Sequence, residues 1–143
     1  MNTIKENSKA AFNQQAATYD KDIKGQHARS LYPVLLEKLS HIPFQSALDL
    51  GCGTGEMLKL ILQKDTHKEL CGIDLSEEML AKLKQKAPMA SIACRDILQY
   101  SSDRLFDYIF ISSSSVSLFT DISVCRQLLG KMKSLLSPDG VFV

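Results

Sequence analysis

A glycine-rich segment that directly follows a short apolar segment constrains this sequence more than any other feature. Residues 47–58 read "ALDLGCGTGEML", with glycines at positions 51, 53 and 55. Glycine adopts backbone angles that other residues avoid, and a turn between a strand and a helix brings backbone amides and the positive end of the helix dipole together. The segment therefore predicts a strand, a tight turn and a helix, with a ligand crevice at the turn. A tight turn without a ligand is the alternative that the glycine pattern alone leaves open.

Short apolar segments alternate with helical patterns from Pro43 onward, which is typical of a parallel sheet with crossover helices in an α/β fold. Strands are predicted at residues 46–50, 69–74, 91–95, 106–111 and 140–143. Helices are predicted at about residues 9–23, 26–39, 56–63, 77–86 and 122–136. Pro33 predicts either a kink in the second helix or a helix start close by. The segment "SPDG" at residues 137–140 predicts a turn into the last strand.

The length of 143 residues and an apolar fraction of 45% fit one compact domain. We expect residues 1–42 to form a helical segment that precedes a sheet core at residues 43–143. Lys and Arg number 17 against 16 Asp and Glu, so no long-range field favours nucleic acid or an anionic membrane. The polar N-terminal residues lack the apolar core of a secretion signal, and "YIFISSSSVSLF" is too short to span a bilayer. These features predict a cytoplasmic protein without nucleic-acid or membrane partners.

Cysteine and histidine spacing gives no indication of a metal site. The cysteines are Cys52, Cys71, Cys94 and Cys125, and no two of them stand at the short spacing of metal or dithiol sites. We expect buried, reduced thiols. The three histidines also lack ligand spacing.

An aspartate at the end of the second predicted strand strengthens the ligand hypothesis. Asp74 stands 19 positions after Gly55, where a parallel sheet brings a carboxylate beside the ribose of an adenosine bound at the turn. A carboxylate there can accept hydrogen bonds from both ribose hydroxyls. A helix cap or turn residue for the following segment is the alternative role.

The glycine register favours one of two adenosine cofactors. A dinucleotide fingerprint requires G-x-G-x-x-G, but here the third glycine comes one position early and position 56 is Glu. A carboxylate fixed beside a diphosphate is unfavourable. A cofactor with a cationic sulfonium and an amino-acid tail has no such conflict.

Four motifs in order resemble those of class I S-adenosylmethionine-dependent methyltransferases. They are "ALDLGCGTG", "GIDLSEEML", "CRDI" and "FDYIFIS". The resemblance covers residues 46–143 and implies a Rossmann-like fold with a mostly parallel sheet preceded by N-terminal helices. The upstream segment "AAFNQQAATYDKDIKGQHARSLYPVLLEKL" is similar to that of the subgroup that contains the malonyl-acyl-carrier-protein methyltransferase of biotin synthesis.

The resemblance implies S-adenosyl-L-methionine as the cofactor. It also implies that residues of each motif bind this cofactor. The methionine half of the cofactor would be surrounded by Asp49, Gly51, Cys52, Gly53 and Gly55. The adenosine half would contact Asp74 at the ribose, Leu75 and Met79 along the adenine, Asp96 at the adenine amino group and Ile97 at the ring. A solvated Asp at a strand end is the alternative for Asp96.

Two further residues are placed near the cofactor by the resemblance. Ser112 falls where this family often has Asn or Ser near the transferred methyl group, but four consecutive serines depart from the common pattern. Ser113 is therefore an alternative, as is a loop serine that bonds its own backbone. Tyr19 resembles a lid tyrosine over the cofactor, and the anchor of a small satellite core is its alternative role.

The resemblance implies methyl transfer to a small molecule or carrier-bound acid, and the sequence does not identify a catalytic residue. No His lies in the four motifs, which agrees with a carboxylate acceptor that needs no general base at neutral pH. A noncatalytic cofactor-binding module is the main alternative. An aminopropyltransferase lacks support because we find no acidic cluster for a polycation, and a nicotinamide dehydrogenase is disfavoured by the glycine register.

Class I methyltransferases continue, as the resemblance implies, past the fifth strand into further elements that complete the sheet. This chain ends at Val143, within the predicted fifth strand. We therefore expect a sheet that is incomplete at the C-terminus. Its exposed edge predicts self-association.

Overall fold

The computed structural model describes residues 2–111 and 121–143. Its helices are α1 Asn2–Gln15, α2 Ile23–Ser40, α3 Glu56–Lys64, α4 Glu77–Lys86 and α5 Ile122–Leu135, with short 3₁₀ helices at Tyr19–Lys21 and Ile97–Gln99. Its strands are β1 Ser46–Leu50, β2 Glu69–Asp74, β3 Ser91–Cys94, β4 Phe106–Phe110 and β5 Leu136–Phe142. The first four strands and the helices after β1 agree with the predicted bounds to within one residue.

The five strands form one sheet in the order β3-β2-β1-β4-β5, and all the pairings are parallel. The predicted α/β fold is confirmed. The strand β1 lies at the centre, and every residue of it is buried. The order of the strands reverses beside β1, because β2 lies on one side of it and β4 on the other. In an open parallel sheet such a reversal opens a ligand crevice at the carboxyl ends of the strands.

Apolar cores lie on both sides of the sheet, as the continuous apolar strands require. One core joins the sheet to α2, α3 and α4 and includes Met57, Leu58, Ile61, Leu83 and Tyr108. The other joins the sheet to α5 and includes Leu48, Leu50, Ile73, Ile109, Leu128 and Met132. The helix α3 and the turn before it are therefore fixed against a rigid sheet.

The N-terminal helices differ from the prediction. The predicted helix at 9–23 was wrong at both ends, because α1 begins at Asn2 and ends at Gln15. The next helix, α2, already begins at Ile23. Asp22 caps α2 by accepting a hydrogen bond from the Gly25 amide at 2.9 Å. A side chain that caps a helix competes with continuation of the preceding one, which explains the break. Pro33 lies inside α2, so it does not mark a start.

The last strand is longer than predicted. It begins at Leu136, directly after α5, and it includes the "SPDG" segment. Leu136 pairs with Phe106 and Val141 pairs with Tyr108. Between these two pairs β5 advances by five residues while β4 advances by two. The predicted turn was wrong because the extra residues are accommodated as an irregularity within the strand.

The thiol prediction holds for two of the four cysteines. Cys52 and Cys71 are buried, but Cys94 is exposed and Cys125 is half-buried. Cys94 is exposed because β3 is an edge strand whose residues are mostly accessible. Within the described ranges, no helix has both the length and the apolar character needed to cross a bilayer.

Candidate functional site

The glycine turn between β1 and α3 uses left-handed backbone angles. The φ angles are 73° at Gly51, 55° at Gly53 and 80° at Gly55. The amides of Gly51 and Cys52 donate to the Ile73 carbonyl at 2.8 and 3.0 Å, which ties the turn to β2. Side chains are strained in this backbone region, so the three glycines are explained by the path of the chain.

Two of these glycines differ in what lies beside them. A Cβ atom at Gly55 would lie 2.5 Å from Cγ of Leu83, so this glycine lets α3 start close to α4. Among the described residues, a Cβ at Gly53 would meet within 4 Å only Cε1 of the Tyr19 ring, at 4.0 Å, which is an ordinary van der Waals contact. The turn therefore packs tightly on protein at Gly55, whereas at Gly53 the described residues leave room for a further carbon beneath the Tyr19 ring; we call this space the gap at Gly53. No signal in the sequence separates the two positions.

Asp74 lies at the glycine turn, as predicted. One oxygen, Oδ2, accepts a hydrogen bond from the Gly53 amide at 2.9 Å, and Oδ1 accepts one from the Ser76 amide at 2.9 Å. Burial raises the pKa of Asp74, against the lowering effect of the backbone amides of Ser76, Gly53 and Leu75. The helix cap of α4 is Ser76, whose Oγ accepts from the Met79 amide at 3.1 Å. Asp74 thus links the turn to the segment that begins α4.

Tyr19 lies over the turn and also belongs to a small apolar cluster. Its side chain packs with Ala16, Met79 and Phe12, and the residue is 8% exposed. Burial raises the pKa of its hydroxyl, with a further contribution from nearby carboxylates. The structure thus shows the satellite core, one of the two roles that the sequence left open, and it places the Tyr19 ring beside the turn; the role as a lid over the cofactor stays a prediction.

The helix α1 crosses the carboxyl ends of β2 and β3. Asn13 Oδ1 accepts a hydrogen bond from Ser76 Oγ at 2.5 Å, and Lys9 Nζ lies 3.2 Å from a Glu77 oxygen. Lys5 forms an ion pair with Asp96, one of the predicted adenine contacts. These contacts place α1 over the side of the crevice predicted for adenosine. The sequence missed this arrangement because the apolar face of α1 is thin.

The remaining predicted residues lie in three kinds of environment. Asp49 is fully buried in β1. Cys52 is also buried, and its own burial raises the pKa of its thiol well above the ordinary value. This thiol is therefore neutral and unsuited to act as a nucleophile. Leu75 and Ile97 are half-buried, and Ile97 packs against the core on the α5 side. Ser112 and Ser113 lie outside the described residues.

A charged cluster beside the turn was not predicted. Lys86 Nζ lies 2.8 Å from Glu56 Oε2 and 3.0 Å from Thr54 Oγ1, and it also pairs with Asp20. The Thr54 hydroxyl donates to Asp20 Oδ1 at 2.6 Å. We call Asp20, Thr54, Glu56 and Lys86 the Lys86 cluster. Because Glu56 is paired with Lys86, it is a weaker argument against a diphosphate than the sequence indicates.

Other concave surfaces lie away from this turn. Two cavities of about 420 and 690 Å³ lie along α2 and α3, and the Gly53 and Asp74 side of the crevice does not line them. The parts of the chain that the structure describes hold no cluster of three His, Cys, Asp or Glu side chains that could bind a metal ion.

This chain is similar to known proteins in sequence and in fold. Residues 47–140 match the sequence model of a family described as "Methyltransferase domain". The chain belongs to this methyltransferase family. The resemblance stated from the motifs is confirmed at this level.

Two curated relatives and one solved structure indicate how far the similarity extends. Malonyl-[acyl-carrier protein] O-methyltransferase of Priestia megaterium (strain DSM 319 / IMG 1521) is 32% identical over 137 residues, covering 92% of this chain and 48% of that protein. Trans-aconitate 2-methyltransferase of Acidovorax sp. (strain JS42) is 30% identical over 107 residues, covering 75% of this chain and 40% of that protein. The chain thus spans about half the length of the first relative and less of the second. An S-adenosylmethionine-dependent methyltransferase from Clostridium acetobutylicum ATCC 824 superimposes with a TM-score of 0.71 at 27% identity, covering 92% of this chain and 56% of that one.

Proposed function

We propose that this chain forms the cofactor-binding part of an S-adenosylmethionine-dependent methyltransferase. The observation that carries the proposal is the gap at Gly53, which lies between the glycine turn and the Tyr19 ring and has the Asp74 carboxylate at its edge. A cofactor whose ribose hydroxyls donate to a carboxylate and whose amino-acid tail lies along the turn fits this arrangement. Membership of the methyltransferase family supports the proposal independently.

The residues around the gap suit the two halves of this cofactor. Each Asp74 oxygen accepts one backbone amide and keeps a second lone pair, so both can accept a ribose hydroxyl. We assign the ribose to Asp74 and place the amino-acid tail along the backbone of the glycine turn, whose amides at Gly51, Cys52 and Gly53 already donate to Ile73 and Asp74. The other assignments stay as predicted from the motifs: the methionine half at Asp49, Gly51, Cys52, Gly53 and Gly55, the adenine at Leu75, Met79, Asp96 and Ile97, and Tyr19 as a lid.

The adenine assignment places a competitor at Asp96. Lys5 on α1 already pairs with this carboxylate, and Asp96 Oδ1 also accepts from the Leu98 amide at 3.0 Å. An adenine amino group would share or replace the Lys5 contact. When the cofactor binds, the Lys5 side chain therefore either shares Asp96 with the adenine or moves away from it.

We propose a small or carrier-bound carboxylic acid as the methyl acceptor. The two curated relatives are named for malonyl-[acyl-carrier protein] and for trans-aconitate, and both of these compounds carry carboxylates. The bound cofactor supplies a methyl group that its sulfonium already activates. A carboxylate is ionised at neutral pH, so the protein need only hold its oxygen in line with the methyl group, and such positioning contributes up to about 7–11 kcal/mol. No residue of this chain has to remove a proton.

Titration calorimetry tests cofactor binding directly. We expect S-adenosylmethionine and S-adenosylhomocysteine to bind the folded chain, and NAD⁺ to bind much more weakly. A folded sample with no affinity for either sulfur compound would refute the proposal. Transfer of a labelled methyl group to malonyl-acyl-carrier protein or trans-aconitate then separates an enzyme from the noncatalytic binding module that the sequence left as an alternative.

Two predictions about partners and location remain. The strand β5 pairs with β4, and among the described strands nothing pairs with its other edge, which supports self-association through this edge. Sedimentation that gives a single monomeric species at micromolar concentration would refute it. We also propose a cytoplasmic location, which fractionation of the source cells tests.

A further inference from the structure

We propose that the Lys86 cluster positions Tyr19 over the glycine turn and thereby sets the rate at which the cofactor leaves. Asp20 and Lys86 are the positioning residues. Neither is assigned a contact with the cofactor, and both act through Tyr19. The inference rests on the proposed function, because it assumes that the gap at Gly53 holds the methionine half of the cofactor.

The contacts connect the two walls of the gap. Asp20 follows Tyr19 in the chain, and Thr54 lies between Gly53 and Gly55. The Asp20 carboxylate accepts from the Thr54 hydroxyl at 2.6 Å and also pairs with Lys86, whose Nζ lies 3.0 Å from the same hydroxyl oxygen. The segment beside the lid tyrosine is therefore bonded to the turn that it covers.

The other side of Tyr19 is held by the start of α2. A Cβ atom at Gly25 would lie 1.9 Å from the Tyr19 carbonyl oxygen, so α2 approaches this backbone more closely than any side chain permits. Asp22 caps the same helix. Opening of the gap therefore requires movement of the Tyr19–Lys21 segment away from the turn, which breaks the contacts of Asp20 with Thr54 and Lys86.

The charges make Lys86 the member on which the cluster depends. Its ammonium lies between the carboxylates of Asp20 and Glu56, and the three side chains are 18–26% exposed. Arg29 approaches Asp20 at 3.9 Å and compensates part of the remaining charge. Loss of Lys86 would leave two half-buried carboxylates next to each other, which favours departure of Asp20 because it lies on the movable segment.

The experiment compares four single variants of the chain, and the double variant that combines Lys86→Met with Asp20→Asn, with the wild type. Lys86→Met removes the central charge, Asp20→Asn removes the charge on the lid side, and Lys86→Arg restores a cation. Lys84→Met is the matched control, because Lys84 is a lysine in the last turn of the same helix and contacts the carbonyls of Pro88 and Ala90 instead. Two quantities are measured: the dissociation rate of S-adenosylhomocysteine by stopped-flow displacement, and hydrogen exchange of the amides at residues 18–22.

We expect Lys86→Met and Asp20→Asn each to speed dissociation about tenfold, as loss of a charge-assisted hydrogen bond predicts. The double variant should be no faster than either single one, because both break the same contact. Exchange at residues 18–22 should accelerate while exchange in β1 and β2 stays unchanged. Lys86→Arg should release the compound at a rate within about threefold of the wild type, and Lys84→Met at the wild-type rate.

The results separate this inference from the proposed function. A folded wild-type chain that binds neither S-adenosylmethionine nor S-adenosylhomocysteine overturns the function, and the inference with it. Normal binding with unchanged release in both Lys86→Met and Asp20→Asn overturns the inference alone. Equal acceleration by Lys84→Met, or faster exchange throughout the sheet, means that general destabilisation is the cause and also overturns it.

Discussion

Replacing Gly53 with alanine should mainly weaken cofactor binding, whereas replacing Gly55 with alanine should mainly lower the stability of the fold. Both glycines have positive φ, at 55° and 80°, so alanine is strained at either position. They differ in surroundings: the new Cβ at Gly55 would lie 2.5 Å from Leu83 Cγ, whereas at Gly53 it would enter the gap below Tyr19. The Gly53→Ala variant should therefore fold and bind poorly, and Gly55→Ala should mainly lose stability.

The magnitudes follow from these distances. Left-handed backbone costs an alanine about 1–2 kcal/mol, and overpacking against Leu83 adds about 1–3 kcal/mol at Gly55. At about 3 °C per kcal/mol for a chain of this size, Tm should fall by about 3–6 °C in Gly53→Ala and about 6–15 °C in Gly55→Ala. In Gly53→Ala the methyl group competes with the ligand, and a cost of about 1–3 kcal/mol there corresponds to about 5- to 150-fold weaker binding.

Thermal melts followed by circular dichroism give the Tm values, and calorimetry with S-adenosylhomocysteine at a temperature where both variants are folded gives the affinities. The reasoning depends on the contrast between the positions. It is refuted if Gly53→Ala binds with wild-type affinity, or if Gly53→Ala is the less stable of the two. The first outcome would mean that the cofactor does not occupy the gap at Gly53.

Three further predictions concern the strand ends. Burial raises the pKa of Asp74 above its ordinary value of 3.8, so cofactor affinity should be full above the raised pKa and fall as pH drops through it. Calorimetry across pH should show this fall while circular dichroism stays constant, and a similar fall in Asp74→Asn would contradict it. Ser76→Ala removes the cap of α4 and the contact with Asn13, so it should cost about 1 kcal/mol, or about 3 °C in Tm, and an unchanged melt would count against the cap. Lys5→Met frees Asp96 and should tighten S-adenosylhomocysteine binding by up to about fivefold, since exposed ion pairs contribute at most about 1 kcal/mol; weaker binding would show that Lys5 assists the ligand.

The local features of the site could be predicted from the sequence because they depend on residues close together in the chain. The glycines at 51–55 require a special backbone, and their spacing identifies the turn. The position of Asp74 follows from the parallel register, in which Asp49 pairs with Gly72 and Leu50 with Ile73. Two neighbouring parallel strands that end together bring their next residues to one edge.

Features that depend on distant contacts could not be predicted. The members of the Lys86 cluster are separated by 34 residues between Asp20 and Thr54 and 32 between Thr54 and Lys86, and no periodicity relates them. The start of α1 at Asn2 was missed because few apolar residues mark it. Cys94 was predicted as buried because free cysteines are usually buried, but the place of β3 at the sheet edge is a property of the topology that residue type does not reveal.

The direct junction of α5 with β5 makes the chain length there unusually critical. The helix ends at Leu135 and the strand begins at Leu136, without a loop between them. One inserted residue would rotate the helix by about 100° relative to the strand, or would exchange the two faces of the strand. The first change would carry Leu128 and Met132 out of the core that they fill, and the second would turn Val141 away from the core against which it packs. Natural variants of this protein should therefore tolerate insertions before β4, at the mostly exposed residues 101–105, and exclude them between Leu135 and Leu136.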